Sequence, residues 1–137
     1  VGVDYFKYDY LQDNIKPYFI QHDLRDPIDS IINKKYDIIV STEVAEHIDP
    51  DYEHIYIQNI KHLMHEKSKL IISWSKGAVN HQHFNPKSPM EFKQTMESYN
   101  FRLLEEESNE IIEHFKKNFN KATNNYLLGS ASVWKII

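Results

Sequence analysis

The stretch Tyr36 to Pro50, YDIIVSTEVAEHIDP, constrains this chain more than any other. It opens as an apolar β-type run, Asp37-Ile38-Ile39-Val40, and breaks at Ser41-Thr42. It resumes as a helical turn with Glu43, Glu46 and His47 at i, i+3 and i+4, a spacing that puts three side chains on one helix face. Carboxylate and imidazole groups together suit either a divalent ion or acid–base work. The turn follows the carboxyl end of a strand, where open α/β sheets place their sites.

The rest of the chain bounds what that turn can belong to. A length of 137 residues, 41% hydrophobic and 13% aromatic, fits one folded domain with a core of its own. A net charge of −4 gives no general electrostatic footprint for nucleic acid or an anionic membrane, which argues against bulk polyanion binding. Cysteine is absent, which excludes disulfides, thiolate metal sites and thiol nucleophiles and is compatible with the cytoplasm. No run of about 18 apolar residues offers a membrane span, and no secretory leader pattern opens the chain. The chain starts on Val1, in what reads as the middle of a strand, and is expected to be a fragment or the ordered part of a longer protein.

Short β-type runs alternate with helical patterns. Val1 to Asp4 reads as a strand, Tyr8 to Ile15 as a brief helix stopped before Pro17, and Tyr18 to His22 as a second strand ending at Asp23-Leu24. Asp26-Pro27 starts a short helix through Asn33, since proline is tolerated in a first turn. Ile38 to Ser41 has the short apolar character of a buried parallel strand. Asp49-Pro50-Asp51 opens a longer helix, its acids near the positive end, with Tyr52, Tyr56, Ile60, Leu63 and Met64 as the apolar stripe. Leu70 to Trp74 is a fourth strand, and Ser75 to Pro89 a polar loop with two histidines, His81 and His83. Met90 to Ser98 reads as a helix with Phe92 and Met96 inward. Phe101 to Glu107 follows as a strand, Glu110 to Phe119 as a helix and Ser132 to Ile137 as a closing strand. This alternation predicts an α/β layered domain with a mainly parallel sheet.

Two acids end strands. Asp4 could accept two hydrogen bonds from vicinal ribose hydroxyls. Such an acid follows a glycine-rich turn by roughly 20 residues, and Gly2, Gly77 and Gly129 form no such pattern. Asp23 could reach an adenine amine while Leu24 packs on the ring. An aspartate that merely starts a turn is the plainer account of each. Tyr5, Phe6, Tyr8 and Tyr10 could cover an adenine or an acceptor, although an aromatic run in an α/β domain usually packs in the core. Trp74, ending the fourth strand, borders the same region.

The order VGVD, IQHDL, YDIIVSTEVAEHI, KLIISW and a closing segment after Tyr99-Asn100-Phe101 resembles the class I S-adenosylmethionine-dependent methyltransferases. The resemblance spans nearly the whole chain and is most specific at D-I-I-V-S-x-E-V-x-E-H-I. It implies a Rossmann-like α/β sheet, mainly parallel with an antiparallel last strand. The family's first strand, glycine loop and first helix have no counterpart in the 137 residues, so the domain is expected to be N-terminally incomplete. It further implies S-adenosylmethionine as cofactor, with contacts from Asp4, Tyr5, Asp23, Leu24, Ser41 and Glu43.

E-V-A-E-H-I followed by N-H-Q-H-F and S-P-M-E-F is similar to metal-dependent O-methyltransferases of the small-RNA 2′-O and ubiquinone-pathway types. That similarity implies Mg²⁺ or Mn²⁺ held by Glu43, Glu46, His47 and His83, with His81 as an alternative to His83. Metal-free relatives also carry E-x-x-E-H, with the acids orienting the cofactor; there His47 or His81 would be the catalytic base. The expected acceptor is a hydroxyl on a small molecule or saccharide, because a long RNA would need a basic surface. A non-catalytic methyltransferase-like subunit is the competing reading. A dehydrogenase-type nucleotide-binding protein would leave the E-V-A-E-H-I turn and the loop histidines without a role.

Overall fold

The computed structural model describes residues 1–5, 12–76, 82–118 and 131–137. Two short parallel strands, β1 (Gly2–Asp4) and β2 (Phe19–Gln21), pair through Val3 and Ile20. Four more strands make a second sheet in the order β3-β4-β6-β5: β3 (Tyr36–Ser41), β4 (Met64–Ile72), β5 (Phe101–Leu103) and β6 (Ser132–Ile136). β3 and β4 are parallel, and β6 is antiparallel to both β4 and β5. Hence β3, β4 and β5 run one way and the last strand alone runs against them. This is the α/β, Rossmann-like arrangement the sequence predicts.

Among the described residues three helices complete the layers: α1 (Glu53–Leu63), α2 (Pro89–Ser98) and α3 (Glu105–Asn118). The core forms where α1 and α2 bury Tyr56, Ile57, Ile60, Phe92 and Met96 with Leu70, Ile72 and Trp134 of the sheet. Phe92 lies between Trp74 and Trp134, its ring centroid 5.5 and 5.6 Å from theirs, in tilted contacts worth about 0.5–1.5 kcal/mol each beyond area burial. α2 starts on a reciprocal cap, Ser88 accepting from Glu91 N–H while the Glu91 carboxylate accepts from Ser88 N–H. It ends at Ser98 with Tyr99 as its cap, and Asn100 follows with a φ of 62°, in the left-handed region that asparagine tolerates.

Several expectations are corrected. No helix forms from Asp26 to Asn33; the segment folds into turns, with Ile31 and Ile32 N–H both donating to the Ile28 carbonyl. Asn59 of α1 explains this, because its side chain accepts from Ile28 N–H and donates to the Leu24 and Asp26 carbonyls. Those groups are thereby satisfied without a helix. The strand expected from Phe101 to Glu107 stops at Leu103, and α3 begins five residues before the expected Glu110. Glu105, Glu106 and Glu107 fill its first turn, where the helix dipole favours negative charge. β4 begins at Met64 rather than Leu70, with a register shift against β3 between the Tyr36–Met64 and Ile38–Lys69 pairs, where the Ser68 hydroxyl accepts from His65 N–H and donates to the Tyr36 carbonyl. β3 is not a strand buried on both faces: Ile38 and Val40 are 60% and 62% exposed. Half of the expected Tyr8–Ile15 helix lies outside the described residues, and Gln12–Ile15 is a turn leading into a single 3₁₀ turn at Lys16–Tyr18. Among the described residues no helix is long and apolar enough to cross a membrane.

Candidate functional site

The carboxyl ends of β1 and β3 and the turn after β2 meet at a pocket of about 700 Å³ lined by Asp4, Tyr5, Asp23, Leu24, Glu43 and His47, among others. Five of the six residues expected to touch the cofactor therefore share one cavity. The sixth, Ser41, does not. Its hydroxyl is 2.8 Å from the buried Tyr56 hydroxyl, and it lines a separate cavity of about 350 Å³ between the two sheets, with Val3, Ile38 and Val40. Burial pushes the Tyr56 phenol above the usual range, so it stays neutral.

The pocket lining is acidic. Asp4, Asp23, Glu43 and Asp49 stand against one guanidinium, Arg25. Arg25 is already committed, holding both oxygens of Asp23 at 2.6–3.1 Å. That grip lowers the Asp23 carboxyl below its ordinary value. The expected contact from Asp23 to an adenine amine would thus have to share a carboxylate with Arg25.

Beyond β3 the chain does not form the single helical face the spacing predicts. Glu43 has φ 56°, left-handed and strained for a residue with a side chain. Buried Ser73, just past β4, holds it there: Glu43 N–H donates to Ser73 Oγ at 2.7 Å, and that hydroxyl donates to Glu43 Oε1 at 2.9 Å. A single 3₁₀ turn, Ala45–His47, then carries Glu46 and His47. Glu43 does not share one helical face with that pair, because a left-handed residue rather than a helical one precedes the turn.

Glu46 is the unusual group. It is fully buried, and among the described residues neither carboxylate oxygen has a hydrogen-bond partner. Burial raises its carboxyl above the ordinary range; its own backbone N–H opposes that most, nearby Glu43 adds to the rise, and His47 and His83 oppose it less. Ligand atoms of Glu46, His47 and His83 lie within 4.8 Å of one another, and the two imidazoles meet edge-on with centroids 4.8 Å apart. His47 Nδ1 lies 2.7 Å from the Gln82 backbone carbonyl. A carbonyl only accepts, so Nδ1 carries the proton and, in the neutral ring, Nε2 keeps its lone pair. Metal-binding histidines are commonly oriented in this way. The structure thus brings together three of the four residues expected around an ion and leaves Glu43 outside the trio. His81 lies outside the described residues.

Two buried residues that hold the site were not anticipated. Asn59, on the apolar face of α1, fixes the Leu24 turn that walls the pocket. Asn85 fixes the histidine loop. A polar residue at an apolar helical position could have revealed Asn59. Asn85 sits in a polar loop and carries no such signal.

No protein-family model matches the chain, and no curated protein matches it in sequence. Its fold is similar to that of the Burkholderia thailandensis 1,6-didemethyltoxoflavin-N1-methyltransferase, solved with 1,6-didemethyltoxoflavin and S-adenosylhomocysteine bound: TM-score 0.66 at 12% identity, over 98% of this chain and 59% of that one. It is also similar to LaPhzM, TM-score 0.54 at 12% identity, over 87% of this chain and 34% of that one. This chain therefore has the fold of these proteins and spans about 59% of the length of the first.

Proposed function

We propose that this chain is the catalytic domain, or part of it, of an S-adenosylmethionine-dependent methyltransferase that methylates a hydroxyl on a small molecule or saccharide with the help of a divalent ion. The observation that carries the reading is the buried Glu46 carboxylate, without a hydrogen-bond partner among the described residues, beside two imidazoles, one of which, His47, lines the acidic pocket. A buried carboxylate in that state costs several kcal/mol unless a cation or proton compensates it. The likeness in fold to a methyltransferase solved with S-adenosylhomocysteine supports the choice of cofactor.

S-adenosylmethionine would supply a methyl group on a sulfonium, which a hydroxyl oxygen attacks as the carbon–sulfur bond breaks. Asp4, at the end of β1, would accept from the ribose hydroxyls, with Tyr5 and Leu24 beside the adenine. The acids around the pocket favour a ligand with positive charge. Glu46, His47 and His83 would hold the ion, one carboxylate and two imidazoles being a donor set suited to borderline divalent metals. The ion would lower the pKa of the attacking hydroxyl. Glu43, clasped by Ser73, keeps its other carboxylate oxygen for cofactor or acceptor.

A metal-free version of the same enzyme is favoured by one detail, the His47 tautomer. With Nδ1 donating to Gln82, Nε2 can take the acceptor's proton as a general base. The test is methyl transfer from radiolabelled S-adenosylmethionine to catechols, saccharides and nitrogen heterocycles, with Mn²⁺ or with EDTA. Ion-dependent labelling of a hydroxyl acceptor is expected. Labelling that EDTA leaves unchanged would favour the His47-base version, and labelling of nitrogen alone would overturn the acceptor class.

A further inference from the structure

Asn85 is 6% exposed and meets three separate parts of the fold. Its backbone N–H donates to the Glu46 carbonyl at 3.0 Å. Its backbone carbonyl accepts from Trp74 Nε1–H at 2.6 Å. Its side-chain amide donates to Glu53 Oε2 at 2.8 Å. Glu53, in the first turn of α1, is itself held by the Lys87 ammonium at 2.9 Å, and that ammonium lies over the Trp74 ring, 5.0 Å from its centroid. One residue therefore ties the loop to the Glu46 turn, to α1 and to Trp74, two residues past β4.

The loop it ties carries the site. His83 precedes Asn85 by two residues, and Gln82, whose carbonyl orients His47, by three. Glu46 and His47 leave the β3 side of the fold, whereas His83 arrives from the far end of β4, 36 residues after His47 in the sequence. Two bonds join the 3₁₀ turn to the loop, His47 Nδ1–H to the Gln82 carbonyl and Asn85 N–H to the Glu46 carbonyl, and the Asn85 side chain anchors this stretch of loop to α1 through Glu53. Its partners are mostly buried, so the link is shielded from competing water.

We propose that Asn85 is a positioning residue that sets His83 and the Gln82 carbonyl against Glu46 and His47, and so governs the affinity of this trio for a divalent ion. This rests on the metal reading above. Residues beyond the ligands that orient a site change metal affinity on the order of 10- to 100-fold when removed. Asn85 acts on a ligand's backbone and on the loop rather than on a ligand side chain, so the lower end applies.

The experiment is Mn²⁺ titration by electron paramagnetic resonance on the whole protein, comparing wild type, His47→Ala, Asn85→Ala, Glu53→Ala and the Asn85→Ala/Glu53→Ala double variant. Circular dichroism melts and S-adenosylhomocysteine titration accompany each. Wild type should bind Mn²⁺ and His47→Ala should not. Asn85→Ala should bind about tenfold more weakly while keeping its fold and its S-adenosylhomocysteine affinity. The double variant should be no weaker than Asn85→Ala alone, because both substitutions cut the same link. A folded Asn85→Ala protein that binds Mn²⁺ like wild type would overturn the positioning role and leave the metal reading intact. An additive double variant would overturn the route through Glu53. A wild-type protein that binds S-adenosylhomocysteine but no Mn²⁺ would overturn the metal reading, and this inference with it.

Discussion

Glu43 and Glu46 stand three residues apart, the first lining the pocket and the second buried beside His47, which also lines it, and the two are in opposite physical states. Glu43 is strained in its backbone and satisfied in its side chain, since Ser73 meets both its N–H and one carboxylate oxygen. Glu46 has ordinary turn geometry and an unsatisfied side chain, buried with both oxygens lacking a partner among the described residues. The first acid is held by a side chain of the protein; the second has no such hold among the described residues. Spacing alone made them equivalent, and burial makes them different.

The comparison breaks most sharply if the two acids can be exchanged. Glu46→Ala or His47→Ala should abolish stimulation by divalent ions and leave S-adenosylmethionine affinity nearly unchanged. Equal loss of both, measured by calorimetry, would give the turn a cofactor-orienting role instead. Asp4→Ala should weaken S-adenosylhomocysteine binding by about 1–3 kcal/mol, the worth of charge-assisted hydrogen bonds to a ribose. Unchanged affinity would remove Asp4 from the site.

Glu46→Gln sharpens the contrast through stability. A carboxyl whose folded pKa is raised favours the folded state below its unfolded pKa, and that advantage is lost as pH rises through the folded value. Metal-free Glu46→Gln should therefore match wild type near pH 4 and melt higher at pH 8, by about 1–3 kcal/mol, because a neutral amide is cheaper to bury. Ser73→Ala should cost about 1 kcal/mol of stability by unclasping Glu43, with no change in Mn²⁺ affinity. The smallest effect belongs to Asp23. Its pKa is lowered by Arg25, so its contribution is present above pH 4 and is lost as pH falls through the depressed value. Asp23→Asn should flatten that acid limb of a melting-temperature profile slightly.

Much of the fold was legible because it is written in local terms. Short apolar runs ending in Asp4, Asp23 and Ser41 predicted parallel strands with a site at their carboxyl ends, and five of the six residues that the family resemblance implied as cofactor contacts share one pocket. What was not legible depends on contacts across long separations. The Asp26–Asn33 segment looked helical, but Asn59, 31 residues beyond Ile28, satisfies its backbone in turns. The E-x-x-E-H spacing assumed a helix at Glu43, but Ser73, 30 residues away, holds that residue left-handed. The Glu105–Glu107 run carried a helix-start signal that the preceding β-type residues obscured.

Calorimetric titration of the protein with S-adenosylhomocysteine, with and without Mg²⁺ or Mn²⁺, tests the central claim most directly. The account predicts micromolar binding of S-adenosylhomocysteine and a separate heat from the ion that disappears in Glu46→Ala. No binding of S-adenosylhomocysteine under either condition would contradict it and favour a methyltransferase-like subunit whose role is structural.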